Sequence, residues 1–94
     1  MKSALLLAPL LAACAASPAP TMWGAQHQEV EVAGRAYTIW WTDRDFEVVR
    51  HGYATGGEHQ AIRATMLTLI PQITHCSIGR VEGDSGEMHG TLSC

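Results

Sequence analysis

The chain has 94 residues, 47% of them hydrophobic and 16% charged, with a formal net charge of −3. That length holds one small domain at most. The mild acidity excludes the basic stripe that nucleic acid demands and offers no attraction to an anionic membrane surface.

In chain order, Lys2 comes first, followed by the apolar run ALLLAPLLAA at 4–13. A bilayer span takes about 20 apolar residues. This shorter run behind a positive charge reads as a signal peptide, residues 1–13. The stretch Leu11-Ala12-Ala13-Cys14 resembles the lipobox of bacterial lipoproteins: an aliphatic residue, a small residue, Gly or Ala, then Cys. The resemblance covers the leader alone. It implies cleavage before Cys14, leaving 81 residues with nine carboxylates against five arginines. It also implies a diacylglyceryl thioether on Cys14 and an acyl group on its new amino terminus. Several acyl chains, at ~0.8 kcal/mol per buried methylene, hold a protein durably where one chain is marginal. Ala15 rather than Asp follows the cysteine, which in that family favours the periplasmic side of the outer membrane over the inner membrane. Residues 14–26 then form a lipidated cysteine and an Ala/Pro tether, stiffened by Pro18 and Pro20. The globular domain is 27–94, small enough to need a covalent staple.

Two hairpins open that domain. Gly34-Arg35 suits a two-residue turn with glycine first, which sets Val32 opposite Tyr37 and Val30 opposite Ile39. Asp43-Arg44 makes the next turn, with Trp41 opposite Phe46, Ile39 opposite Val48 and Tyr37 opposite Arg50. Both turns select the same apolar face. Since a slip of one residue reverses every side chain, their agreement argues for a three-stranded antiparallel meander.

A helix follows. Thr55-Gly56-Gly57-Glu58 fits a capping box, and Ile62, Met66, Leu69 and Ile73 recur at helical spacing. Pro71 disfavours helical geometry at Ile70, so the helix is expected to end there, with Ile73 just beyond. The last segment pairs as a hairpin centred on Ser85, with Cys76 opposite Cys94 and Ile78 opposite Leu92. That register suits a cross-strand disulfide, and an exported protein is the right compartment for one. The fold expected is α+β in the order β-β-β-α-β-β, with the helix on one face of an antiparallel sheet. Pairing alone leaves open whether the last hairpin joins that sheet.

Candidate sites are few. Gly83-Asp84-Ser85-Gly86 resembles the nucleophile motif of trypsin-like proteases, but Glu87 stands where that family has a second glycine. The chain also lacks the length for two barrels and a buried Asp–His pair. Gly, Asp and Ser are what a turn requires. Five histidines (His27, His51, His59, His75 and His89) lack close metal-ligand spacing. In this register His75 and His89 lie on the outer face of the last hairpin. Trp40 must point away from the core because Trp41 points into it. With Glu29, Glu31 and Glu47 around it, Trp40 makes a candidate partner-binding face, tryptophan being enriched at binding hot spots. Cover by the tether or the last hairpin is the competing reading. The reading of the whole is a lipid-anchored, non-enzymatic interaction module of the cell envelope, with an envelope protein as partner and no cofactor. A small-ligand or metal-binding lipoprotein using the histidines is the alternative.

Overall fold

A computed structural model describes residues 24–94. The leader, the lipobox with Cys14 and most of the tether lie outside the described residues. Strands β1 (Gln26–Val32), β2 (Arg35–Trp41) and β3 (Asp45–Arg50) come first. Helix α1 (His59–Thr74) follows, entered through the 3-10 turn Gly56–Glu58. Strands β4 (Ser77–Gly83) and β5 (Glu87–Ser93) complete the chain. All five strands form one sheet in the order β1-β2-β3-β5-β4, and every pairing is antiparallel. The fold is α+β in the order β-β-β-α-β-β, with the last hairpin joined to the meander through β5.

One face of the sheet carries Tyr37, Ile39, Phe46, Val48, Met88 and Leu92, all buried against Ile62, Met66, Leu69 and Ile70 of α1. Fully burying a side chain of this size contributes about 1.5–3 kcal/mol, so this layer is the main source of stability. Trp41, Val30, Val32, Ile73 and Cys76 pack around its rim. Among the described residues no helix is long and apolar enough to cross a membrane.

The β2–β3 register is the expected one: Trp41 opposite Phe46, Ile39 opposite Val48, Tyr37 opposite Arg50. The Thr42 hydroxyl fixes that turn by accepting from the backbone N–H groups of Arg44 (3.1 Å) and Asp45 (3.0 Å). The β1–β2 register differs. Val30 faces Tyr37, Val32 faces Arg35, and the turn is Ala33-Gly34 rather than Gly34-Arg35. Both turn residues have positive φ, 53° and 79°, as a type I′ turn demands to match strand twist. Alanine is an uncommon choice there, so sequence alone favoured the turn with glycine first. The slip is two residues and therefore leaves every side chain on the face first assigned.

The helix also runs further than expected. Thr55 and Glu58 close the capping box: the Glu58 carboxylate accepts from the Thr55 backbone N–H at 2.8 Å and from its hydroxyl at 3.0 Å. At the other end α1 passes through Pro71 to Thr74, so Ile73 lies within it. Proline removes one backbone donor and crowds the preceding turn, but Ile70 is wholly buried and holds its helical geometry from the core side. The true end is His75, in the left-handed region at φ 62°, whose N–H bonds the Pro71 carbonyl at 3.0 Å. His75 is thus a helix cap and not a strand residue of the last hairpin.

That hairpin keeps the expected pairing at Ile78 and Leu92, then shifts by one residue between Ile78 and Val81, so Val81 faces Gly90 and Gly83 faces Met88. The bulge arises because Gly90 has no side chain. A β-carbon there would collide with the Arg80 carbonyl, and its absence lets the bulged backbone close in. Cys76 and Cys94 stand at disulfide-bonding distance, with α-carbons 4.5 Å apart.

Candidate functional site

The sheet face away from α1 carries the residues of interest. Strand pairing aligns His27, Trp40, Glu47, His89 and Glu82 in one row across all five strands. A parallel row holds Glu29, Thr38, Val49 and Glu87. Trp40 is on the face expected of it, but it is not bare. Its exposure is 7%, and Ala25 and Val49 pack against it. Glu47 is 8% exposed and Thr38 2%. Of the four residues assigned to a partner face, Glu29 and Glu31 are exposed, whereas Trp40 and Glu47 are buried.

Glu47 belongs to a hydrogen-bonded cluster that sequence alone could not assemble, because its members sit on β3, β4 and β5. Glu87 bonds both Glu47 and His89. His89 Nδ1 lies 2.9 Å from a Glu87 oxygen, and its Nε2 lies 3.5 Å from Glu82. Burial pushes the Glu87 carboxyl above its ordinary value, and the bond to Glu47 pushes the same way against the pull of His89. Hydrogen bonding to Glu87, aided by Glu82, raises His89 above 6.5. A group that binds its proton more tightly folded than unfolded stabilises the fold at low pH. The contribution of His89 is therefore full below pH 6.5 and lost as pH rises through its folded pKa. His89 is exposed, so the effect is screened and small. His89→Gln is expected to flatten the fall in the urea midpoint across neutral pH. An unchanged slope would remove His89 as its source.

A second cluster links α1 to the last turn. Ser85, 6% exposed, has its hydroxyl hydrogen-bonded to His59 Nδ1. Its carbonyl accepts from Arg50 Nε at 2.7 Å, and Arg63 Nη1 donates to the Gly83 carbonyl at 2.9 Å. Asp84 accepts the N–H groups of Gly86 and Glu87, and those bonds hold its carboxyl below the ordinary range. A serine beside a histidine is the start of a nucleophilic pair. Here the hydroxyl is covered and the neighbouring aspartate is committed to the turn. The arrangement pins the β4–β5 turn onto the start of the helix.

The other histidines are dispersed. His51 Nε2 bonds the Thr38 hydroxyl at 2.7 Å on the outer face, while His75 caps the helix. Among the described residues no three His, Cys, Asp or Glu side chains are grouped to hold a metal ion.

Besides the exposed Glu82 and His89, this face is open to solvent along its β1 margin. β1 is an edge strand, seven residues long and without a register shift. The opposite edge, β4, is broken by its bulge. Unpaired edge N–H and C=O groups are a template for another strand, and a bulge is one of the devices that block such pairing. Comparison of the chain with protein-family models, with curated proteins and with solved structures finds no match to any of them.

Proposed function

We propose that this protein is a lipid-anchored interaction module of the bacterial envelope, without enzymatic activity of its own, that binds an envelope protein by strand addition at β1. The lipobox-like Leu11-Ala12-Ala13-Cys14 supports the anchor, with attachment through Cys14 and an outer-membrane address facing the periplasm. The observation that carries the binding reading is the smooth β1 edge bearing exposed Glu29 and Glu31 on its outer face. Main-chain hydrogen bonds supply affinity in strand addition, and alternate side chains supply specificity. Glu29 and Glu31 are two residues apart and so point the same way. The partner this suits is an extended segment with Lys or Arg at alternate positions, since opposite charges across paired strands stabilise by roughly 0.2–1 kcal/mol per pair.

The test is a titration of the full chain with an alternating Lys-Thr peptide, followed by amide chemical shifts. Shifts confined to β1 are expected, with binding weakened by Glu29→Lys together with Glu31→Lys and restored toward a Glu-Thr peptide. Shifts spread over other elements, or indifference to the charge reversal, would overturn the reading of the edge.

A further inference from the structure

The β1–β2 turn, the start of β2, the segment just after β3 and the entry to α1 line an open groove of about 390 Å³. Ala33, Gly34, Arg35, His51, Tyr53 and Glu58 are among its lining residues. Tyr53 is 99% exposed, yet its backbone is held. The Tyr53 carbonyl accepts from Arg35 Nη2 at 3.2 Å, and the Gly52 carbonyl accepts from Arg50 Nη1 at 2.8 Å. The His51 N–H bonds the Ala36 carbonyl at 3.0 Å. A bare aromatic ring on a tethered backbone gives contact area at low entropic cost, the property that enriches tyrosine at recognition surfaces.

The charges beside it cancel. Arg35 Nη2 also meets Glu58 Oε2 at 3.2 Å. The Thr55 N–H, together with Arg35, holds the Glu58 carboxyl down at about 2, so it stays an acceptor. An anion entering the groove meets that carboxylate, and a cation meets the guanidinium. A neutral ligand with adjacent hydroxyl groups meets both favourably, because guanidinium offers only donors and carboxylate only acceptors. Tyr53 lines the same groove, and its bare ring is available to the apolar face of such a ligand.

We propose that this groove binds a neutral sugar unit, with Tyr53 as the platform and the Arg35–Glu58 pair as the hydroxyl clamp. The assignment rests on the described domain alone and holds whether or not β1 takes a partner strand. Its test is a titration of the full chain, extracted in a detergent without a sugar headgroup, with tri-N-acetylchitotriose and maltotriose, read by amide shifts. Saturable shifts at Arg35, His51 and Tyr53 with at least one of the two are expected. Tyr53→Ala removes a fully exposed side chain, so the melting temperature should hold while affinity falls about ten-fold or more, the loss seen at an aromatic hot spot. Glu58→Gln keeps a capping oxygen and should also weaken binding. No saturable shift with either sugar would overturn the proposal. So would binding indifferent to Tyr53→Ala, or inorganic phosphate shifting the same residues at lower concentration than either sugar.

Discussion

Replacing Trp40 by alanine is expected to lower the stability of the domain by about 3–5 kcal/mol, the range for large-to-small changes at an aromatic core site. The ring is 7% exposed and packed by Ala25 and Val49, and it stands between His27 and the buried Glu47 in its row. A bare contact residue behaves differently, because surface substitutions usually stay within about 0.5 kcal/mol. Urea unfolding of Trp40→Ala beside Trp40→Phe separates the two cases. The phenylalanine variant fills most of the site and should keep both the fold and peptide binding at β1. A Trp40→Ala protein of unchanged midpoint that had lost the Lys-Thr peptide would return Trp40 to the role of contact residue.

Removing the link between Cys76 and Cys94 has the second large effect. The two cysteines are 18 residues apart in sequence, and closing a loop of that order restricts the unfolded chain by about 3 kcal/mol in the entropy model. They join the end of α1 to the end of the sheet's last strand. A domain of this size often has only about 3–5 kcal/mol from its core, so the loss should leave the protein marginal. Guanidinium unfolding with and without reductant, next to Cys76→Ser combined with Cys94→Ser, measures it. Coincident curves would show that the cysteines are not linked in solution.

The core layer was legible in the sequence because two independent turns selected the same face. The β2–β3 pairing held in every described pair, since Asp43-Arg44 is flanked by apolar partners and closed by Thr42. The β1–β2 pairing missed by an even number of residues, so its faces survived a wrong turn. The last hairpin held as far as Ile78 and Leu92 and failed beyond, where Gly79 and Arg80 together stand opposite Thr91. No periodicity marks such an insertion. Pro71 misled for a related reason: its local cost is real, but Ile70 and Thr74 are buried on the core side of the same turn.

The outer face was less legible. Trp40 pointed where alternation put it. Its burial, however, comes from Ala25 and Val49, and the Glu47–Glu87–His89 cluster depends on β3 lying beside β5, a long-range pairing that sets Glu47 opposite His89 and that no local signal announces. The Ser85–His59 bond is hidden in the same way. Glu29 and Glu31 could be placed from alternation within β1 alone, and they are the two assigned contact residues that stand exposed.

The anchor is the claim on which the cellular reading turns, and the intact mass of the protein recovered from membranes tests it most directly. The expected species is a chain cut before Cys14 and heavier than its sequence by the mass of a diacylglyceryl group and an acyl chain. Cys14→Ser should lack the added mass and leave the membrane fraction. An unlipidated Cys14, or a wild-type chain that retains its first 13 residues, would contradict the lipoprotein assignment and with it the envelope address proposed for the β1 surface.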